Sequence, residues 1–255
     1  MRVAVIGATG VVGGTILRVL EERNVPIDAL LAYASRDRVD GVRFRGANLP
    51  VVAANRERLA ADRPDVAFFA SSDDASAELA GALADAGAIV IDNSSTFRLA
   101  DGVPLIVPEV NPGDVRDEHR IFPVANCTAI VLVVALAPIE RGVGLRSVRV
   151  ATYQAVSGAG RAGLDALERE ERGEERDATF AAPIHRNVVP QIGGYEGDGD
   201  TGEEKKVVAE TRKMLGRADL VMAATTVRVP VMRAHSEVVF FETQRGTSVA
   251  ELQAA

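Results

Sequence analysis

The chain has 255 residues, enough for one large or two ordinary domains, and its 47% hydrophobic and 25% charged content argues against global disorder. The net charge of −7 argues against a nucleic-acid partner, and no apolar run reaches membrane-spanning length. Gly7 interrupts the first apolar run too early for a signal peptide. A single cysteine excludes a disulfide framework and fits a reducing compartment, so we expect a cytoplasmic protein. From the charge and the apolar runs we expect no nucleic-acid or membrane partner.

The N-terminal segment has the pattern of a dinucleotide site. An apolar run at Val3 to Ile6 precedes GATGVVGG at positions 7–14, and helical spacing then continues to Asn24. A turn without Cβ atoms can approach a pyrophosphate, and the following helix N-terminus offers N–H donors. The spacing is GxxGxxG, which is less diagnostic than GxGxxG, and an ordinary glycine-rich turn is the alternative. The predicted cofactor-binding positions here are Gly7, Thr9, Gly10, Val11, Val12 and Gly13.

The end of the second predicted strand, Leu30 to Ala34, bears on the choice of cofactor. An NAD site places an acidic residue there for the ribose 2′-hydroxyl. This chain has Ser35, Arg36, Asp37 and Arg38 instead. A hydroxyl and two guanidinium groups suit a 2′-phosphate, so Ser35, Arg36 and Arg38 predict NADP. Asp37 is a contrary signal, and solvated surface arginines are the alternative.

Further strand and helix patterns alternate along the first half. Strands are predicted at Asp65 to Ala70 and at Ala88 to Ile91, with a helix from Ala75 to Ala86 between them. Repeated βα units imply a parallel sheet with right-handed crossovers. The sequence therefore predicts an α/β fold with a Rossmann-type doubly wound sheet over about residues 1–128.

The single cysteine lies at a predicted strand–helix junction. Ile121 to Val124 is strand-like, Asn126 is a plausible N-cap, and Ala129 to Ile139 forms an apolar helix. A thiol at Cys127 would then lie in the first helical turn, where the helix dipole is expected to lower its pKa. The alternative is a small buried hydrophobic residue.

Seven segments in order resemble aspartate-semialdehyde dehydrogenase of the bacterial type. They are GATGVVG at 7–13, DNSSTFR at 92–98, VPEVN at 107–111, NCT at 126–128, TYQAVSGAG at 152–160, NVVPQI at 187–192 and RVPVMRAHSE at 228–237. The resemblance runs from Met1 to about the end of the chain. It implies that an α+β substrate-binding and dimerisation domain, residues 129–255, follows the nucleotide domain.

The resemblance also implies the reaction. It is the reversible, NADP-dependent reduction of L-aspartyl 4-phosphate to L-aspartate 4-semialdehyde through a cysteine thioester. This step serves the synthesis of lysine through diaminopimelate, and of threonine, methionine and isoleucine. The resemblance further implies a homodimer or homotetramer that acts on a small-molecule substrate, and no metal is predicted.

Site residues follow from the resemblance by position. Cys127 is the nucleophile, His235 the general acid/base and Gln154 the residue that orients the substrate. Arg228 matches the residue that binds the substrate carboxylate, and Glu203 the one that meets its amino group. Arg98, Asn126 and Lys206 match the phosphate pocket, and Ser157 and Gly158 match cofactor-binding positions. His119 and His185 are alternative histidines, and Glu204 and Lys205 are alternatives if the register is shifted by one.

Two features depart from the family pattern. Ser71 to Asp74 replaces a usual glycine pair, and its acids either weaken cofactor binding or cap the next helix. Ser248 to Glu251 has the pattern of a capping box, yet the sequence ends at Ala255, where family members continue. The sequence thus suggests a fragment with low activity, because one wall of the cofactor cleft would be missing. The charge run from Glu168 to Asp177 is interpreted as a solvated helix end or a mobile loop.

Single residues argue against two alternative functions. An N-acetylglutamyl-phosphate reductase usually has a glycine before its cysteine, where this chain has Asn126. A non-catalytic NADP-binding paralogue would be expected to lose the cysteine, and Cys127 is present.

Overall fold

The computed structural model describes residues 1–254 and contains two compact units. The first comprises residues 1–106 and 113–125, and the second comprises residues 107–112 and the chain from Asn126 onward. Within residues 1–254, no helix is long and apolar enough to cross a membrane.

The first unit is built on a seven-stranded sheet. Its strands are β1 (Arg2–Ile6), β2 (Ala29–Ala34), β3 (Arg38–Phe44), β4 (Ala47–Ala53), β5 (Val66–Phe69), β6 (Ile89–Asp92) and β7 (Ile121–Pro123). The strand order is β3-β4-β2-β1-β5-β6-β7, and every adjacent pair is parallel except β3 and β4. The direction in which successive strands are added reverses at β1. In doubly wound sheets nucleotide sites form at this topological switch point.

Helices cover both faces of this sheet. They are α1 (Val11–Glu22), α2 (Arg56–Asp62) and α3 (Asp73–Asp85). Side chains of β1 alternate between the faces: Val3 and Val5 pack in a cluster that includes Leu17 of α1, whereas Ile6 packs in one that includes Leu79 of α3. The doubly wound Rossmann-type arrangement is therefore confirmed.

The antiparallel hairpin of β3 and β4 is a feature that the sequence did not reveal. Phe44 pairs with Ala47 across a two-residue turn, in which Arg45 and Gly46 have φ values of 49° and 78°. Two positive φ values characterise a type I′ turn, which usually carries Asn-Gly rather than Arg-Gly. Arg38, which the sequence places after the second strand, is the first residue of β3.

The second unit contains a three-stranded sheet of order β10-β8-β9. The strands are β8 (Leu145–Gln154), β9 (Val221–Arg228) and β10 (Ser236–Thr243), and the helices are α4 (Cys127–Val143), α5 (Gly160–Glu171), α6 (Gly202–Leu215) and α7 (Val249–Ala254). β8 is parallel to β9 and antiparallel to β10. Leu132 and Leu136 of α4 and Val207 of α6 form a buried cluster with side chains of β8.

The predicted capping box near the chain end is present. Ser248 N donates to the Glu251 carboxylate at 2.8 Å, and Glu251 N donates to Ser248 Oγ at 3.2 Å. These reciprocal bonds satisfy backbone donors at the start of α7.

Candidate active site

The N-terminus of α4 positions the cysteine. Asn126 Oδ1 accepts hydrogen bonds from Thr128 N at 2.9 Å and from Ala129 N at 3.3 Å, so Asn126 is the N-cap and Cys127 the first helical residue. The Asn126 backbone N–H donates to Glu210 Oε2 at 2.6 Å, within the buried part of the second unit. Helix cap and buried carboxylate together fix the backbone on which the thiol is mounted.

Cys127 contacts His235, which lies 108 residues later in the sequence. Cys127 Sγ is 3.2 Å from His235 Nε2, and the Ala155 backbone N–H donates to His235 Nδ1 at 3.0 Å. A backbone N–H can only donate, so Nδ1 of the neutral imidazole must carry the lone pair. The proton of the neutral ring is therefore on Nε2, which faces the sulfur.

Electrostatics favour neutral forms of both groups. Cys127 is exposed to solvent, yet desolvation by the protein around it, followed by the Glu203 charge, raises the pKa of its thiol. Desolvation, followed by the Arg228 charge, lowers the pKa of His235. The expectation of a thiol pKa lowered by the helix dipole was wrong, because burial and a nearby carboxylate outweigh hydrogen bonding from Thr128.

Glu203 joins two other predicted site residues. Its Oε1 accepts from Asn126 Nδ2 at 2.9 Å and from Gln154 Nε2 at 3.0 Å. Thr152 Oγ1 in turn donates to Gln154 Oε1 at 3.0 Å, which fixes the orientation of this buried amide. Asn126, Gln154 and Glu203 thus form one hydrogen-bonded group, and the Glu203 charge acts on the neighbouring Cys127–His235 pair within the second unit.

Residues next to Glu203 have other roles, which supports the register of the sequence prediction. Glu204 forms a capping box with Thr201 at the start of α6 and accepts from Thr226 N at 3.0 Å. Lys205 forms ion pairs with Glu196 at 2.8 Å and Asp198 at 3.0 Å. Lys206 is exposed, and its assignment to the phosphate pocket stays a prediction.

The predicted carboxylate-binding arginine is buried beside the same group. Arg228 is 5% exposed, and its Nη1 donates to the Ala155 carbonyl oxygen at 2.8 Å. A Cβ atom on Gly158 would lie 2.6 Å from Nη1, so the glycine leaves room for the guanidinium in this position. The backbone of Ala155 therefore holds both His235 and Arg228.

A cavity of about 390 Å³ in the first unit brings together most of the predicted cofactor residues. Its lining includes Gly7, Thr9, Gly10, Ser35, Arg36 and Arg38. Gly10 is the N-cap of α1 and has no side chain, so no capping side chain accepts a hydrogen bond from the first N–H groups of the helix. This glycine cradle at a helix N-terminus, with two arginines beside it, fits a phosphate-bearing dinucleotide.

Asp37 does not compete in this cavity. Its Oδ1 accepts from Ala53 N at 2.6 Å and from Arg58 Nη1 at 2.9 Å, which lowers its pKa. The carboxylate is thus committed to the β4–α2 connection, and the contrary signal in the sequence is accounted for.

The Ser71–Asp74 segment acts as a helix start. Ser72 Oγ accepts from Ala75 N at 3.4 Å, and Asp73, the first residue of α3, accepts from both Ser95 N and Ser95 Oγ, at 2.9 and 2.7 Å. Ser71 and Ser72 line the cofactor cavity, but Asp73 and Asp74 are not among its lining residues.

The remaining predicted residues lie as follows. Arg98 belongs to the first unit, where Nη2 donates to the Asn93 carbonyl oxygen at 2.9 Å. Ser157 and Gly158 belong to the second unit, in a 3₁₀ turn after β8. Their roles in phosphate and cofactor binding stay predictions. Of the alternative histidines, His119 Nδ1 accepts from Arg116 N at 3.1 Å.

Three residues that orient site side chains were not predicted from the sequence. Glu210, Thr152 and Ala155 orient Asn126, Gln154 and His235, respectively. No local pattern marks a backbone N–H as a histidine partner, and a glutamate inside a helix is usually solvated. Only the distant contacts assign them.

Glu237 offers a test of the electrostatics near the site. Desolvation raises its pKa to about 7, and Oε1 is buried without a hydrogen-bond partner among the described residues. The folded protein therefore holds this proton more tightly than the unfolded chain does, so stability falls as pH rises from about 4.5 to about 7. We expect Glu237→Gln to stabilise the protein by about 2 kcal/mol at pH 8, and by much less at pH 4.5.

Urea unfolding at the two pH values measures this difference. Glu21→Gln is the matched control, because it makes the same charge change at an exposed position of α1 in the first unit. An equal effect of Glu237→Gln at both pH values would contradict a raised pKa.

Comparison with known proteins agrees with this architecture. Residues 2–118 match the family model "Semialdehyde dehydrogenase, NAD binding domain", and residues 136–255 match "Semialdehyde dehydrogenase, dimerisation domain". The fold and the match thus define an oxidoreductase of the semialdehyde dehydrogenase class with an NAD(P)-binding domain.

Individual relatives narrow the assignment. The aspartate-semialdehyde dehydrogenase of Aquifex aeolicus is 43% identical over 260 residues, covering 98% of this chain and 76% of the relative. That of Bacillus subtilis is 38% identical over 268 residues, with the same coverage of 98% and 76%. The crystal structure of aspartate semialdehyde dehydrogenase II from Vibrio cholerae, also solved in complex with ASA, has a TM-score of 0.92 at 38% identity and covers 99% of this chain and 77% of its own. The chain belongs to the aspartate-semialdehyde dehydrogenase family and spans about three quarters of the length of these relatives.

Proposed function

We propose that the protein interconverts L-aspartyl 4-phosphate and L-aspartate 4-semialdehyde with NADP, through a thioester on Cys127. The observation that carries this proposal is the 3.2 Å contact between Cys127 Sγ and His235 Nε2 in a group that includes Glu203 and Arg228. The family membership supports the reaction class. The proposed pathway is the synthesis of lysine, threonine, methionine and isoleucine.

The chemistry starts when the exposed Cys127 thiol, which is neutral in the free site, loses its proton to solvent water and becomes the thiolate nucleophile. In the oxidative direction, sulfur adds to the aldehyde carbon and the carbonyl π electrons move to oxygen. The proton on His235 Nε2 can be shared with that oxygen, which stabilises its negative charge. NADP, when bound, supplies the hydride acceptor, and the C=O bond re-forms as a thioester. Phosphate then attacks the carbonyl carbon, the C–S bond breaks, and the sulfur is restored.

Substrate recognition uses opposite charges on one small molecule. Arg228 suits the α-carboxylate because a guanidinium can donate two parallel hydrogen bonds. Glu203, held between Asn126 and Gln154, suits the ammonium group. Arg98, Asn126 and Lys206 are the proposed phosphate ligands. An N-acetylated substrate would leave Glu203 without a cationic partner, which favours a free amino group.

NADP is the proposed cofactor, held by the cradle at the start of α1 and by Ser157 and Gly158. Ser35, Arg36 and Arg38 line the cavity beside that cradle and suit a 2′-phosphate. We expect Arg36→Ala to weaken NADP binding about tenfold or more, with a much smaller effect on NAD, since only NADP carries the extra dianion. Calorimetric titration of both cofactors measures this ratio, with Arg43→Ala of the neighbouring hairpin as the control. Equal weakening of both cofactors would contradict the assignment.

Self-association is proposed through the second unit. The face of its sheet opposite α4 and α6 exposes apolar side chains, notably Tyr153, Val221, Val238 and Phe240. Such a face is suited to burial against another copy. A homodimer or a homotetramer is expected, and sedimentation equilibrium distinguishes them.

The test of the proposed function is phosphate-dependent reduction of NADP by aspartate semialdehyde. Turnover that requires both phosphate and the free amino acid aldehyde is the expected result. Activity with N-acetylglutamate semialdehyde instead would favour the acetylglutamyl-phosphate reductase alternative. NADP binding without turnover of either aldehyde would favour a non-catalytic paralogue.

A further inference from the structure

The charge run at the end of α5 organises the segment that follows it. Arg169 Nη1 pairs with Asp177 Oδ2 at 3.1 Å, and Asp177 Oδ1 accepts from Thr179 N at 2.9 Å. The Arg176 guanidinium donates to the Phe180 carbonyl oxygen. The run is a largely exposed helix end, as the sequence predicts, and its side chains also hold residues 177–180 in a defined conformation.

Glu170 fixes the far end of the same segment. Its Oε2 accepts from Ile184 N at 2.7 Å and from His185 N at 2.8 Å, and the Ile184 side chain is completely buried. Each charge-assisted bond to a backbone N–H restricts a segment with no regular secondary structure. Phe180 is thus presented from a loop tied down on both sides.

Phe180 faces the buried arginine. The Arg228 Cζ atom lies 6.0 Å from the centre of the Phe180 ring, within the range of a cation–π contact. Both residues line a cavity of about 350 Å³, together with Thr179 and Gln191. The Arg228 guanidinium is held at Nη1 by the Ala155 carbonyl oxygen, and the cavity offers it room to move on the side of Phe180.

We propose that Phe180 is a positioning residue that holds the Arg228 guanidinium in its substrate-binding orientation, and that the Glu168–Asp177 charge run is the scaffold that holds Phe180. This inference rests on the proposed function, because it assigns Arg228 to the substrate carboxylate. An arginine already ordered by its neighbours loses less conformational freedom when it binds an anion. Loss of the aromatic ring therefore weakens ground-state binding of the substrate more than it slows the reacting centre.

The decisive comparison is between Phe180→Leu and Phe180→Tyr. A cation–π contact in a partly desolvated site contributes about a factor of ten, so Phe180→Leu is expected to raise KM for aspartate semialdehyde about tenfold with kcat within about twofold. Phe180→Tyr retains the ring and should restore KM. With propanal, which lacks the carboxylate, kcat/KM of Phe180→Leu should equal that of the wild type.

Two substitutions of neighbouring arginines test the role of the charge run as a scaffold. Arg176→Gln should raise KM in the same direction by a smaller factor, whereas Arg172→Gln removes the same charge from the same run but pairs only with Glu174 and should leave KM unchanged. A fall in kcat/KM for propanal equal to that for aspartate semialdehyde would overturn the proposal, as would failure of tyrosine to restore KM.

A stability measurement separates this inference from the proposed function. A double-mutant cycle of Phe180→Leu and Arg228→Met in urea unfolding should show coupling between the two side chains, whatever the enzyme turns over. Additive effects overturn the inference while leaving the function intact. A coupled pair in a protein that does not turn over aspartate semialdehyde overturns the function and, with it, the substrate-binding role of Phe180.

Discussion

Cys127→Ala is expected to lower kcat for phosphate-dependent oxidation of aspartate semialdehyde by about 10,000-fold or more, the range seen when a nucleophile is removed. The sulfur atom forms the covalent bond to substrate, and the chain contains no second cysteine to replace it. Cofactor affinity should be unchanged, since Cys127 is not among the residues predicted to bind NADP. Steady-state kinetics and NADP titration on the same preparation measure both quantities.

Thr128→Ser is the matched control for this substitution. Thr128 is the next residue in α4, and serine retains its hydroxyl, so kcat should stay within a few-fold of the wild type. Residual turnover by Cys127→Ala above about 1% of the wild-type rate would show that catalysis does not require a thioester on this residue.

Gly13→Ala is expected to destabilise the first unit by about 3 kcal/mol or more and to abolish measurable NADP binding. A Cβ at this position would lie 2.1 Å from the Gly7 carbonyl oxygen and 2.8 Å from the Ala8 Cα. Both are backbone atoms of the turn that forms the cofactor cradle, so the clash moves the cradle itself rather than a flexible side chain. Such forced shifts of packed backbone cost several kcal/mol.

Gly14→Ala provides the comparison one residue later. A Cβ on Gly14 meets no atom within 4 Å, and the residue lies within α1. Alanine is favoured over glycine in a helix, so this variant should be more stable by about 0.5–1 kcal/mol and bind NADP normally. Thermal unfolding and calorimetry of the two variants give the contrast. Similar behaviour of both would contradict the packing of the glycine turn described above.

Local patterns predict the elements that position the site. The glycine turn between β1 and α1, and the Asn126 cap before Cys127, depend on residues adjacent in sequence and on steric rules for glycine and helix ends. Both could therefore be predicted from the sequence alone. The β3–β4 hairpin was not, because its turn uses Arg45 at a position where asparagine is typical.

Contacts between distant residues could not be read in this way. Asn126 and Glu203 are 77 residues apart, and Gln154 and Glu203 are 49 apart, yet their side chains are hydrogen-bonded. The resemblance supplied Glu203 by alignment of motifs, whereas its two partners and the roles of its charged neighbours are properties of the fold. The Glu168–Asp177 run is largely exposed, as the sequence predicts, but its partners could not be predicted for the same reason, since they lie in a loop without periodicity.

The protonation states also required the structure. A helix N-terminus alone favours a thiolate, but desolvation of Cys127 and the charge of Glu203 both raise the pKa of its thiol. His235 accepts a hydrogen bond from Ala155 N, and this bond opposes a second ring proton. The sequence identifies the ionisable groups, but their pKa values depend on burial and on which charges lie closest in the folded protein.

The most direct test of the central claim is to mix the protein with NADP and aspartate semialdehyde in the absence of phosphate and measure the mass of the acid-quenched chain. Without the group that cleaves the thioester, an aspartyl adduct should accumulate on the peptide containing Cys127, with one NADPH formed per adduct, and disappear when phosphate is added. NADPH formation with no adduct, or an adduct on another residue, would contradict thioester catalysis at Cys127.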